Sequence, residues 1–469
     1  MGQIVDTNDR VAAIGGEEIS ELLREPVWMR VAPNSYMAAV FVTAFFGLLF
    51  FELGYLVVTL PLLGLAFIAF PLAYYFDRIV FDGKSLARSG VIPRVWEMFG
   101  GMPNRLPKDD IEMVETQAVR ALKRGGSVFY RYRTSVSCGR IVFVMNSGGE
   151  SYRRMIRNLF PRLAENLLDN RSIELRDYLS EPKETLMKAE FARIPSTDVL
   201  EESIRDFDRL RTSGKEKPEF GDAEVEKADY LRRLANELRL SGYLLQALEA
   251  FRRALYLNPN DAWLLFEFAR CLHSFAGSER DARLERRALA VLRLAELRGK
   301  GDTKLLSRVG ESYFQYGEQS RALKVFQRLL DGAEESFRVV RGMAEIALRE
   351  GKLAHVIHHF SNAGRVAETP ALRRWSQTES EYFSRLNNDA EYMDTEVSRV
   401  RLLETLEGAK RTALKIALGA LPAIFIGSLL DMDLLKILGW AVSCTGVLIW
   451  AGIFVSINLL SERAPLSEA

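Results

Sequence analysis

The 469-residue chain is poor in the residues that catalytic and metal sites draw on most, with three cysteines and four histidines. Cys138, Cys271 and Cys444 lie far apart and form no CxxC, zinc spacing or disulfide framework, as suits a reducing compartment. Three of the histidines fall in "HVIHH" (355–359), which sets His355 and His359 one helical turn apart, as a zinc pair would be. The metalloprotease pattern needs glutamate after the first histidine, and position 356 is valine. His273 has no candidate nucleophile, and GxSxG, Walker and strand-to-helix GxGxxG patterns are missing. The expectation is therefore no enzyme, no cofactor and no metal. Lys+Arg (63) and Asp+Glu (62) balance, which removes any overall electrostatic argument for nucleic acid.

What the chain has instead is concentrated apolar sequence near both ends. Residues 36–51 and 53–76 are free of charge, interrupted by Glu52. Thr412–Leu430 and Ile437–Leu460 flank the polar "DMDLLK". Each stretch approaches the roughly 20 residues of one bilayer crossing, so two membrane hairpins are expected, at 36–76 and 411–460. Arg24, Arg30, Arg78, Lys84, Arg88 and Arg94 flank the first, and Arg399, Arg401, Lys410, Arg411 and Arg463 flank the second. The outer turns carry only Lys436. The excess of flanking cations predicts cytoplasmic termini and a cytoplasmic middle. Charges within the spans sit at their ends, which favours anchoring over transport.

The remaining boundaries follow from composition. Residues 1–35 form a cytoplasmic N-terminal segment, 78–178 a β-rich domain closed by a helix, 179–226 a linker with a helical stretch, and 461–469 a tail. Within 78–178, "RIVFDG" and "SLARSG" read as short strands ending in turns. "DIEMVETQAV" sets Ile111, Met113 and Glu115 on one face, and Val128, Tyr130, Tyr132, Thr134 and Val136 alternate in the next strand. Met155, Ile156, Leu159, Phe160, Leu163 and Leu167 then recur at helical spacing. "SGGES" (147–151) is read as a helix start with a serine cap, and "WEMFGGMPNRLP" (96–107) as core aromatics around a turn. This order resembles the bacterial pleckstrin-homology-like (PH-like) domains, which implies a contact-making domain beside the membrane.

From residue 227 a longer period appears. Leu231, Leu234, Ala235, Leu238, Gly242, Ala247, Phe251, Ala254 and Pro259 make a first unit. Leu265, Phe268, Ala269, Leu272, Ala288, Leu292 and Ala295 make a second, lengthened at its turn within "SFAGSERDARLER". The third (Leu306, Val309, Gly310, Tyr313, Gly317, Ala322, Phe326) and fourth (Val340, Met343, Ala344, Gly351, Val356, Phe360, Ala363) are 34 residues apart, as Gly317 and Gly351 are. Over 225–365 the pattern resembles the tetratricopeptide repeat (TPR), a helix-pair solenoid whose surface binds proteins. Repeats and a closing helical cap fill 227–408. The fold class expected is mainly α: membrane hairpins at both ends, a TPR solenoid, and a small antiparallel α+β domain.

Transferred onto this chain, the TPR groove is lined by Arg232, Asn236, Arg239, Arg270, His273, Lys304, Arg308, Arg338 and Arg341. Arg232, Asn236, Lys304 and Arg308 fall where co-chaperone TPR domains place a clamp for an acidic C-terminal peptide. Glu267 stands where that clamp has asparagine and would repel a carboxylate. An acidic segment of a partner, or of this chain's own "DFDRL" region, is the expected ligand. The leading expectation is a multi-pass scaffold or adaptor of the bacterial inner membrane, touching lipid and protein partners, not nucleic acid, within a larger membrane complex. The competing classes are a structural or regulatory subunit of a membrane export or transport complex, and a membrane enzyme with an unrecognised site.

Overall fold

A computed structural model describes residues 26–98, 104–121, 128–139, 141–147, 149–197, 199–200, 222–332, 336–461 and 463. The "DFDRL" segment, nearly all of the 212–222 linker, and Phe99, Gly100 and Gly101 of the aromatic turn lie outside the described residues. The chain is mainly helical and divides into two units.

The first unit takes in 26–31, 78–89 and 104–377. It opens with β1 (Val27–Arg30), which pairs antiparallel with β2 (Arg78–Phe81). From the sequence, residues 27–30 are expected in a segment outside the β-rich domain. They belong to its sheet, and the first apolar stretch is an insertion between two paired strands. β3 (Ser85–Ser89) and β4 (Arg105–Pro107) complete this sheet in the order 1-2-3-4. A second sheet follows from β5 (Met113–Ala121), β6 (Phe129–Cys138) and β7 (Ile141–Asn146), all antiparallel.

β6 keeps the expected alternation, with Tyr132, Thr134 and Val136 buried, Tyr130 half-buried, and Val128 buried just before the strand. In β5 the buried face is Val114 and Thr116 instead of Met113 and Glu115. The register explains this: Val114 lies opposite Val136 and Thr116 opposite Thr134, and cross-strand partners share a face. The α4 helix (Glu150–Leu159) buries Tyr152, Met155, Ile156 and Leu159 and packs on β1. It ends before Pro161, so Leu163 and Leu167 are buried from the turns that follow. Its cap is Gly149 at φ 126, with no side-chain bond. Ser147 Oγ accepts from the Tyr132 amide at 2.7 Å instead of capping the helix.

Two short helices, α5 (Asn170–Tyr178) and α6 (Pro182–Phe191), lead to the solenoid. Its helices pack in consecutive pairs: α7 (Asp222–Ser241) with α8 (Leu244–Leu257), α9 (Ala262–Glu279) with α10 (Ala282–Arg298), α11 (Thr303–Gln315) with α12 (Gln319–Asp331), and α13 (Phe337–Arg349) with α14 (Leu353–Val366). Asp261, Asp281, Asp302 and Ser336 cap α9, α10, α11 and α13 through their side chains. Three pairs turn on a left-handed glycine, Gly242 (φ 92), Gly317 (φ 83) and Gly351 (φ 72). The lengthened second pair turns on Arg280 at φ 56, a conformation that disfavours a side chain. The Phe326 ring leaves no room for a Cβ at either Gly310 or Gly342. Phe337, Val340, Ala363 and Leu372 share one apolar cluster with Leu86, Leu106, Val136 and Ile156 of the β region. Sheets and solenoid are therefore one body.

The second unit comprises 32–77, 90–98 and 378–461, with residue 463. α1 (Asn34–Glu52) turns at Gly54 (φ 80) into α2 (Leu56–Phe76), and Tyr36 donates to Asp77 at 2.6 Å. α3 (Val91–Met98) exposes Val91, Ile92, Val95 and Met98, so Met98 is no core residue. α15 (Pro370–Asn388) starts in the first unit and ends here. α16 (Ala390–Leu429) runs 40 residues from the expected repeat cap into apolar sequence, so no boundary falls at 408–411. α17 (Asp433–Leu460) packs along it, with Phe45, Ala417 and Val447 forming a shared core. Among the described residues, four helices, α1, α2, α16 and α17, are long and apolar enough to cross a membrane.

Candidate functional site: a groove filled from within

Residues 165–178 lie in the concave face of the solenoid. Three hydrogen bonds of Asp169 fix how they enter: its amide donates to Val114 O at 3.1 Å, and its Oδ1 accepts from the Thr116 and Ser172 amides at 3.2 and 2.9 Å. Asp169 thereby caps α5 and ties it to β5. A hydroxyl chain continues inward: Thr116 meets Ser172 at 2.8 Å and Thr134 at 2.9 Å, and Thr134 meets Tyr152 at 2.8 Å.

Glu174 of α5 sits at the centre, 2% exposed. Its Oε1 is 2.9 Å from both Arg239 and Arg270, themselves 1% and 4% exposed, and Arg171 lies 3.5 Å from Oε2. Burial alone would raise the Glu174 pKa, but Arg239, Arg270 and Arg171 outweigh it and hold the carboxyl down at about 2. Four residues on, Tyr178 donates to Glu267 at 2.9 Å. The other Glu267 oxygen takes Asn236 Nδ2 at 2.7 Å and stands 3.2 Å from Arg232. Burial raises the pKa of Glu267, and the pull of Arg232 offsets this in part. At the near end of α5, Arg308 donates to Asn170 Oδ1 at 3.1 Å, its guanidinium beside the Trp263 and Phe266 rings. Burial, then the nearby Arg270, lowers the pKa of Arg308. Arg338 donates to the carbonyls of Glu165 (3.2 Å) and Leu168 (2.9 Å) and pairs with Glu311 at 2.5 Å.

The structure thus brings together Arg232, Asn236, Arg239, Arg270, Arg308 and Arg338, all on the chain's own residues. Of the remaining three expected groove residues, His273 stacks on Tyr316, and Arg341 shares a cavity with Leu168, Asp169 and Arg338. The third, Lys304, is exposed. Arg341 pairs with Glu345 at 2.8 Å and lies over Trp375. The expected repulsion at Glu267 does not arise, because Tyr178 and Asn236 donate to it. Sequence reading missed Asn170, Arg171, Glu174 and Tyr178, the residues that fill the groove. One signal was present: in "NRSIELRDY" the charged residues are interleaved with the apolar ones and not gathered on one face, unlike an ordinary surface helix.

Outside the groove, His355 and His358 are exposed, and among the described residues no group of three or more His, Cys, Asp or Glu is placed to hold a metal ion.

The chain is a mainly helical protein with consecutive stacked helix pairs and a small antiparallel β region. Among solved structures it is similar to a thermophilic TPR protein of Thermus thermophilus, at 18% identity and a TM-score of 0.28, covering 42% of this chain and 95% of that one. No protein-family model and no curated protein matches the chain.

Proposed function

We propose that the chain is a multi-pass adaptor of the bacterial inner membrane that recruits or assembles partner proteins on its cytoplasmic side and catalyses no reaction. The observation that carries this reading is the combination, in one chain, of four apolar helices of spanning length with a solenoid of stacked helix pairs. The sheets of four and three antiparallel strands, closed by the amphipathic α4, support a PH-like domain. The cations flanking both apolar pairs support cytoplasmic termini and a cytoplasmic middle. The concave face is filled by α5, so partners engage other surfaces of the solenoid.

Two measurements test this. Single cysteines near Glu52 and Asp433 should react with a membrane-impermeant reagent in intact cells, and cysteines at 213–222 should not. The reverse pattern sinks the orientation. Purification from native membranes should recover exchangeable partner proteins. A fixed multisubunit set would favour an export or transport complex, and turnover by the chain alone an enzyme.

A further inference from the structure

The N-terminal end of the solenoid carries a second, open groove of about 730 Å³ between the end of α6 and the first helix pair. Phe191, Tyr230 and Tyr256 are among its lining residues and are 87%, 42% and 74% exposed. Arg193, Lys227 and Arg252 are lining residues too, with Arg253 beside them, and among the described residues the lining includes no carboxylate. Arg252 and Arg253 are held by Glu249 at 2.7 and 2.8 Å, while Arg193 and Lys227 are exposed. In a helical solenoid the end face is where a further helix pair would stack, and terminal units normally close it with polar residues. Here the end keeps three large aromatic rings in reach of solvent. Large apolar groups collected beside exposed cations mark a binding surface more often than a solvated one.

We propose that this groove docks an acidic peptide segment of a partner protein. Its apolar side chains would lie against Phe191, Tyr230 and Tyr256, and its carboxylates would face Arg193 and Lys227. This rests on the adaptor reading and places the partner surface away from the filled concave face. The concave form of the site favours a peptide over a bilayer surface, and its excess of cations makes the peptide acidic.

The full chain, held in nanodiscs of uncharged lipid, should be panned with a random-peptide display library. Enriched peptides should combine Asp or Glu with Leu, Phe or Trp. Their affinity should fall about tenfold or more in R193E/K227E, the loss of two charge-assisted contacts. It should fall in Tyr256→Ala and stay unchanged in Lys304→Glu. These side chains are exposed, and unchanged circular dichroism would verify folding, with R193Q/K227Q as a milder second variant. Enriched peptides without acidic excess, or indifferent to R193E/K227E, would overturn the proposal. So would variant-sensitive binding of phosphatidylglycerol vesicles without acidic peptide enrichment, or variant-sensitive self-association. If R193E/K227E still recovers the native partners from membranes, this groove is refuted and the adaptor reading stands.

Discussion

The concave face of the solenoid and the groove at its N-terminal end carry similar side chains in opposite states. In the first, Arg239 and Arg270 are almost wholly buried and share the carboxylate of Glu174. In the second, Arg193 and Lys227 are exposed beside exposed rings. A repeat pattern in the sequence points to the concave face as the binding surface. What decides the matter in this chain is a nine-residue helix contributed from outside the repeats. Cations that look like a receptor in the sequence are a structural joint when their counter-charge comes from the same chain.

The largest effect should follow from removing that counter-charge. Glu174→Gln leaves Arg239 and Arg270 buried against a neutral side chain. Breaking a buried ion pair from one side destabilises by about 3–5 kcal/mol. Chemical denaturation of the solubilised protein, followed by tryptophan fluorescence, should show this loss. A change below about 1 kcal/mol, the scale of a surface ion pair, would mean that the groove is not held by this pair, and that α5 can leave it.

Acid should sharpen the same contrast. The folded pKa of Glu174 lies at about 2, below its ordinary value of 4.5. The sign follows from linkage: a depressed carboxylate contributes stability that is fully present above the ordinary pKa and is lost as pH falls toward the folded one. The stability gap between the native chain and Glu174→Gln should therefore hold at neutral pH and shrink between about pH 4.5 and pH 2. Glu267, whose pKa is raised, works in the opposite direction, but it is common to both proteins and cancels from the gap. A gap unchanged across this window would contradict the charge assignment.

How much of this was legible in the sequence varies with the range of the interaction. The helix pairs were legible because their small and large apolar positions recur, and Leu238, Ala247, Phe251, Val309, Ala322 and Val356 are all buried. Alternation in β6 was legible for the same reason. The face of β5 was not, because Val114 and Thr116 are assigned by register with Val136 and Thr134. The strand at Val27–Arg30 was hidden because its partner lies beyond a whole pair of apolar helices. Helix α5 was missed because Glu174 finds Arg239 and Arg270 in distant repeats, and no local period encodes such a contact. Gly242 is a case where one residue answers both kinds of constraint. Its positive φ is the local turn signal, and its carbonyl accepts from the Val128 amide at 2.8 Å, where a Cβ would meet Val128 O.

The smallest expected effect divides two residues that the repeat pattern treats as equals. Lys304 and Arg308 stand one turn apart on α11, and the sequence resemblance assigns both to the same peptide clamp. Arg308 donates to Asn170 and lies against Trp263 and Phe266, so reversing its charge would place a carboxylate among apolar rings and opposite an amide oxygen. Lys304 is exposed in the first turn of α11, just after the Asp302 cap. A cation is unfavourable at a helix N-terminus and an anion favourable, by about 0.3–1 kcal/mol each. Lys304→Glu should therefore leave stability unchanged or raise it by up to about 1 kcal/mol, while Arg308→Glu lowers it by several times as much. Denaturation midpoints of the two variants, measured side by side, decide this. A destabilising Lys304→Glu would mean that the cationic lining of the concave face extends to this residue, and that the face is held by more of the chain than α5 alone.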